Sequence, residues 1–239
     1  MTTPVVVYLM RGEQVAPVQR SVTGTGSPAS LALAGLLQPL SVRERASGLV
    51  TQIPVATRSL GAKVDGNLAT VNMSGDFESG GGSLSMRARV AQVVYTMTRI
   101  PGVTRVAFQL DGRPVTSIGG EGVLVAPPVT RATLEDLAPA ILIESPLPQT
   151  IVTSPLHVSG TANVFEAQFV LEVADWDGRI IARESVHATS GTGSRGSFDA
   201  MIAFTAPTGP KRITLIAYEP SAKDGSPTHE VEIPLRLGG

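Results

Sequence analysis

The hydrophobic pattern loses its helical period at Ala140, and that loss limits the fold more than any other feature. Over residues 83–100, Met86, Val90, Val93, Val94, Met97 and Ile100 recur at three-to-four spacing, the stripe of an amphipathic helix. Arg87, Arg89 and Arg99 fall largely on the other side. From Ala140 onward no helical period remains. Seven short apolar or alternating runs follow instead, at 141–144, 156–162, 167–174, 180–188, 197–205, 212–218 and 231–237. Turn residues such as Asp177-Gly178 and Thr208-Gly209-Pro210 separate them. A chain of 239 residues can hold two domains, and 25 glycines and 18 prolines favour many turns over long helices.

The first part mixes both periods. Runs at 5–10 and 15–22 read as strands. Ser27 is placed to cap a helix that Pro28 opens, because proline lacks only an N–H that would be unpaired there. That helix carries Leu33, Leu36 and Leu37. Ser41 and Glu44 have the spacing of a capping box. Asp65-Gly66-Asn67 joins runs at 57–64 and 68–73 as a hairpin, and a flexible glycine-rich stretch at 75–82 precedes the long helix. Pro101-Gly102 stops the helix, and strands at 103–110 and 113–118 flank Asp111-Gly112. The expected architecture is an α+β domain over residues 4–126, with helices packed on one face of a small mixed sheet. Residues 119–126 lead out of it, 127–139 form a linker, and 140–239 form an all-β immunoglobulin-like sandwich.

Charge supports the division. Residues 1–130 hold eleven Lys/Arg against seven Asp/Glu, and 131–239 hold eight against thirteen, giving +4 and −5. Neither half has the basic stripe with interleaved aromatics that nucleic acid requires, so no nucleic-acid partner is expected. The absence of cysteine excludes disulfides, thiolate nucleophiles and Cys-based zinc sites. No apolar run reaches the ~18 residues of a membrane span, and no secretory signal opens the chain as written.

Each motif with chemical potential has a simpler reading. Gly24-Thr25-Gly26-Ser27-Pro28-Ala29 loosely fits a dinucleotide-binding glycine pattern, but no βαβ unit follows it, so it reads as a capped loop. Gly191-Thr192-Gly193-Ser194-Arg195-Gly196 fits the same letters between two strands and reads as a flexible hairpin loop. Ser194 lacks the preceding glycine of a nucleophile elbow, because Thr192 stands there. Asp175-Trp176-Asp177-Gly178 opens like a calcium loop, yet its twelfth position is Val186 rather than Glu, so a tight turn is expected. His157, His187 and His229 are far apart and have no zinc-ligand spacing. The polar stretch 219–230 carries three turn signals, Pro220, Asp224-Gly225 and Ser226-Pro227, and reads as a loop between strands. No catalytic, metal or cofactor residue is assigned. Trp176 and Tyr218 are the candidate binding residues, as the aromatics nearest polar loops.

The stretches 152–169 (VTSPLHVSGTANVFEAQF) and 217–237 (AYEPSAKDGSPTHEVEIPLRL) resemble the immunoglobulin-like domain of bacterial spore-germination proteins, the second Gmad type. Residues 7–22, 48–77 and 91–115 resemble a GerMN domain of sporulation and germination proteins. This resemblance implies a non-enzymatic, extracytoplasmic (lipo)protein module of a bacterial envelope, with no cofactor. Membrane attachment is then expected only through an anchor that this sequence does not carry. GerMN domains also resemble ring-building folds, which implies self-association through the first domain or docking to an envelope protein or cell-wall polymer. A cell-wall-binding accessory of a peptidoglycan hydrolase is the alternative expectation.

Overall fold

A computed structural model describes residues 1–120 and 122–238. Glu121, within the expected exit segment 119–126, and Gly239, the end of the expected second domain, lie outside the described residues. Contacts divide the chain into Met1–Ala138 and Pro139–Gly239.

In the first unit, β1 (Thr2–Arg11) and β2 (Gln14–Thr23) form a long antiparallel hairpin around Gly12-Glu13. β1 is central in its sheet, where the short β3 (Leu49–Val50) pairs only with Met10 and Arg11. Val7, Tyr8, Leu9 and Met10 are all buried, so this run is apolar on both faces rather than alternating. Helix α1 (Pro28–Leu36) is capped as expected, with the Ser27 hydroxyl accepting from Ser30 N. Gly35 is the point of closest approach to the hairpin. A β-carbon there would lie 2.6 Å from Val5 Cγ2 and 3.0 Å from Val22 Cγ2. The short α2 (Val42–Ala46) starts with the expected Ser41–Glu44 capping box.

A second sheet follows, which the expectation of a single sheet did not contain. It runs β4-β5-β6-β7, from β4 (Ser59–Asp65), β5 (Leu68–Met73), β6 (Arg105–Leu110) and β7 (Arg113–Pro114). The β5–β6 pair is parallel, so the sheet is mixed. The small β8 (Ser117–Ile118) and β9 (Val123–Leu124) pair with each other. Among the described residues the unit is mostly β, with α1, α2 and α3 (Ser83–Met97) its only α-helices.

α3 ends three residues before the expected limit. Its stripe Met86, Val90, Val93, Val94 and Met97 is buried, but so is nearly the whole circumference, including Arg89, Gln92, Tyr95 and Thr96. The polar positions have specific partners. Tyr8 N donates to Thr96 Oγ1 at 3.0 Å, and Gln92 Nε2 donates to Tyr8 O at 3.2 Å. Gln92 Oε1 accepts from Gln52 N at 2.9 Å. These side chains close the β1 edge beyond the reach of β3, where bare backbone groups would otherwise be buried unpaired. Arg89, expected on the polar side, is turned inward. Its Nη atoms donate to the carbonyls of Phe77, Ser79 and Gly80 at 2.8, 3.0 and 2.6 Å. The glycine-rich stretch 75–82 is therefore laced to α3 rather than free. Burial lowers the Arg89 pKa from the ordinary arginine value.

Within the segment 127–139, expected as a linker with one helical turn at 133–137, several residues pack on the first unit. Val129 exchanges backbone hydrogen bonds with Val106 at 2.8 Å, and a 3₁₀ segment at Arg131–Leu137 buries Leu134 and Leu137. Arg131 donates to Thr98 Oγ1 at 2.7 Å, and its guanidinium lies 4.7 Å from the Tyr95 ring centre and 5.5 Å from that of Tyr8. Apolar side chains at 129, 134 and 137 carry this segment onto the first unit. No helix among the described residues is long and apolar enough to cross a membrane.

The second unit contains all seven expected strands and one short addition. They are β10 (Ile141–Ser145), the added β11 (Ile151–Val152), β12 (Leu156–Ala162), β13 (Gln168–Ala174), β14 (Ile180–His187), β15 (Gly196–Ile202), β16 (Arg212–Pro220) and β17 (Pro227–Leu237). One sheet has the order β10-β12-β15 and the other β11-β17-β16-β13-β14. Their inner faces share a core including Val158, Phe169, Leu171, Phe198 and Leu215. Phe169 and Phe198 meet edge to face, with ring centres 4.8 Å apart. Gly160 is where β10 passes closest to β12, since a β-carbon there would sit 2.0 Å from Leu142 O.

Candidate functional site

The turn between β13 and β14 is built by Asp175. Its Oδ1 accepts from Asp177 N and Arg179 N at 3.0 Å each, and its backbone N–H donates to Arg179 O at 2.9 Å. Burial works to raise this carboxyl. Hydrogen bonds from Arg179 and Asp177, together with the Arg179 charge, outweigh it and hold the group below the usual carboxylate range. The acid-x-acid-Gly pattern is thus a turn device, as expected from its missing glutamate.

That turn lifts Trp176 to its apex, where the side chain is 50% exposed. The indole is also fixed in orientation. Its N–H donates to Thr208 O at 3.3 Å. Gly209, with φ +112, approaches so closely that a β-carbon would lie 3.0 Å from Nε1. An aromatic surface held in this way has little rotamer freedom left to lose on binding, which suits it to act as a stacking or docking anchor.

Tyr218 is not a second part of that surface. It is 6% exposed on β16 and pairs with Val170, four residues before the end of β13 at Ala174, whereas Trp176 stands in the turn beyond that end. Its hydroxyl donates to Glu172 Oε1 at 3.1 Å. Arg183 Nε donates to the same oxygen at 2.6 Å, and Arg183 Nη2 is a further close partner. Burial raises the Tyr218 hydroxyl pKa, and the bond to Glu172 adds to the effect. The two candidate residues are therefore set apart by the paired strands, and the Glu172–Arg183 pair holds Tyr218 in place.

The remaining motifs also resolve into folding devices. In the Gly24–Ala29 stretch, Ser27 caps α1, and Ser30 Oγ donates to Ala62 O at 2.9 Å. The stretch at 191–196 is neither a hairpin nor free. It crosses from one sheet to the other, because β14 and β15 belong to different sheets. Gly193 N donates to Asn163 Oδ1, Thr192 N to Val164 O, and Arg195 Nη2 to Pro139 O, at 2.9, 2.9 and 2.8 Å. The stretch 219–230 is shorter as a loop than expected, since β16 and β17 take in its ends and leave only 221–226. Asp224 there accepts from Ser226 Oγ at 2.6 Å and from Ser226 N at 3.1 Å, and these bonds lower its pKa. His157 pairs with Asp199 at 2.9 Å and His229 with Glu219 at 3.7 Å, on separate strands.

One surface feature has no periodic signal in the sequence. Phe165 is 60% exposed at the start of a turn in which Glu166 and Ala167 both have positive φ, +51 and +58. Such backbone is uncommon for residues other than glycine and persists only where neighbours enforce it. Here Phe165 N donates to Glu219 Oε1 at 2.8 Å and Glu166 N to Thr192 Oγ1 at 3.0 Å.

Comparison with known proteins agrees with this two-unit arrangement. The family model described as sporulation and spore germination matches residues 6–116. The one described as the immunoglobulin-like domain of bacterial spore germination matches residues 140–226. The chain is a GerMN-like domain followed by a Gmad2 immunoglobulin-like domain. Among solved structures, the tandem GerMN domains of the sporulation protein GerM from Bacillus subtilis are similar at 16% identity and a TM-score of 0.49, over 85% of this chain. The alignment spans 62% of the length of that protein chain. The first GerMN domain of the same protein aligns at 16% identity and a TM-score of 0.46, covering 54% of this chain and 98% of its own. A candidate lipoprotein from Clostridium perfringens aligns at 18% identity and a TM-score of 0.40, covering 58% and 92%. No curated protein matches the sequence. The two family models carry the assignment of the GerMN-like and Gmad2 domains.

Proposed function

We propose that this chain is a non-enzymatic, extracytoplasmic module of a bacterial cell envelope that binds or scaffolds envelope partners, in the manner of sporulation and germination proteins. The observation that carries the reading is the tandem of a sporulation-type and a germination-type domain. The side chains support it. The acidic groups with shifted pKa values act within the fold: Glu44 in a helix cap, Asp175 in its turn and Asp224 in its loop. Perturbed carboxylates gathered in a cleft would instead favour catalysis. Trp176 is the residue offered for contact with the partner. The test is retention of solubilised envelope components on the immobilised full chain, with Trp176→Ala beside it. Retention that depends on Trp176 supports the reading. Turnover of peptidoglycan or an ester by the pure chain, lost on a point substitution, contradicts it.

A second reading rests on the fixed, half-exposed Trp176 ring itself: a cell-wall-polymer-binding accessory of a peptidoglycan hydrolase, in which sugar rings stack on the indole. Sedimentation of the chain with purified cell wall tests it. No pelleting with wild type discards this reading while leaving the protein-partner reading standing.

A further inference from the structure

The geometry points to a head-to-tail contact between copies of this chain, in which Phe165 of one copy enters an apolar groove on the GerMN-like domain of the next. Two observations, one on each domain, meet in this inference. On the Gmad2 domain, Phe165 is a knob with more than half of its surface in water. The backbone of the turn that carries it is tied to Glu219 and to Thr192. Gly191 is pressed against the same turn, where a β-carbon would lie 2.5 Å from Ala167 N and from Val164 O. Left-handed backbone at Glu166 and Ala167, enforced from the end of β16 and from the 191–196 stretch, holds an apolar side chain outward at a cost that burial inside the same unit would avoid. The flank of this knob is acidic. Glu166 is exposed beside it, Glu219 sits beneath it, and the surrounding half of the chain carries a net −5, from eight Lys/Arg and thirteen Asp/Glu.

On the GerMN-like domain, the end of α1, the α1–α2 link and the segment after β3 enclose a groove of about 240 Å³. Its walls include Leu37, Pro39, Leu40, Ile53, Pro54 and Val55. Val55 is 92% exposed at its mouth, and Val42 of α2 is 77% exposed. An apolar cavity of ~150 Å³ is enough to take up a benzene ring, so this groove has room for a phenyl group together with its β-carbon. The charge beside the groove is positive. Arg45 is one of its lining residues and donates to Leu40 O, and Arg43 is exposed on α2. Glu44 between them is bound by Arg20 and Ser41. The half of the chain that holds the groove is +4, from eleven Lys/Arg and seven Asp/Glu. An apolar knob with an acidic flank and an apolar groove with a basic flank, carried on one chain, are complementary in both size and sign. The contact is heterologous, since knob and groove are different surfaces, so each copy can engage two others and successive contacts build rings or open chains. It does not depend on the identity of any envelope partner.

Sedimentation velocity of the full chain over a wide concentration range at low salt reads the outcome. Wild type is expected to form a concentration-dependent series of species that weakens as salt rises. Phe165→Ser and Val55→Asp should each raise the concentration for half-assembly about ten-fold or more. Both positions are exposed, and the melting curve of each variant should overlay that of wild type. Mixing the two variants is the decisive arm. The Phe165→Ser copy keeps a groove and the Val55→Asp copy keeps a knob, so the mixture should give a discrete 1:1 dimer and nothing larger. Glu166→Arg should weaken assembly, and Arg43→Glu in the same chain should restore it. A wild type that stays monomeric throughout, variants that assemble like wild type, or a mixture that stays monomeric overturns the inference.

Discussion

Arg20 offers the sharpest single perturbation of the GerMN-like domain. Its side chain is buried, and it ends helix α1 by donating to the carbonyls of Gly35, Leu36 and Gln38 at 2.8, 3.3 and 2.9 Å. The same guanidinium holds both oxygens of Glu44, at 2.7 and 3.1 Å. Arg20→Met keeps the aliphatic stem and removes every donor. Breaking one side of a buried ion pair costs about 3–5 kcal/mol. The Glu44 side chain keeps 11% of its surface in water and retains its bond from Ser41 N, which places the loss near the lower end, about 3 kcal/mol. For a unit of this size that corresponds to a fall of roughly 10 °C in melting temperature. The chain supplies its own two reporters. All α-helices among the described residues lie in the first unit, so far-UV circular dichroism at the helix band follows that unit. The single tryptophan, Trp176, lies in the second, so its fluorescence follows the other. Arg20→Met should move the helix transition and leave the fluorescence transition in place. A helix transition that moves by less than about 1 kcal/mol, on the order of 3 °C, would refute the assignment of Arg20 as the link between α1 and α2.

Other expectations follow from the same contacts. Burial works to raise the Glu44 carboxyl, but hydrogen bonds from Arg20 and Ser41 and the Arg20 charge hold it below its ordinary value of 4.5. Its contribution is therefore complete above that pH and fades as pH falls through the folded value, so acid titration of stability should be shallower in Glu44→Gln than in wild type. Gly35→Ala gains about 1 kcal/mol of helix propensity but forces a methyl against Val5 and Val22, which costs about 1–3 kcal/mol, so denaturant midpoints should fall rather than rise. Gln92→Leu keeps the volume and leaves Tyr8 O and Gln52 N without their side-chain partner, a loss of about 2–3 kcal/mol in urea unfolding of the first unit. Gly160→Ala would push β10 from β12 and lower the stability of the Gmad2 domain alone, by about 3 kcal/mol or more, read by Trp176 fluorescence.

Much of this fold is written in local chemistry. Ser27-Pro28 and Ser41 with Glu44 announce their helix starts, because a cap needs only residues within one turn of each other. The seven strands of the second domain stand out because alternation and turn residues repeat along them. What is not legible depends on partners distant in sequence. Arg89, Gln92 and Thr96 look like the polar side of a helix, yet they are buried because Tyr8 and the carbonyls at 77–80 need hydrogen-bond partners there. Residues 129–137 look like a linker because their apolar positions are few and irregular, although Val129, Leu134 and Leu137 suffice to dock them. Tyr218 and Trp176 are equally aromatic and equally near polar loops, and only strand register shows that one is buried beside Glu172 while the other stands at a turn apex. Phe165 is exposed through the backbone conformation of its neighbours, for which Glu166-Ala167 gives no sequence cue.

The most direct test of an envelope-binding role is photocrosslinking in intact cells of the native host, with a crosslinking residue placed at Arg179, beside Trp176 and well exposed to solvent. The account predicts adducts to an envelope protein or wall polymer that disappear when Trp176 is replaced by alanine. Adducts confined to cytosolic components, or an adduct pattern unchanged by the loss of Trp176, would contradict it.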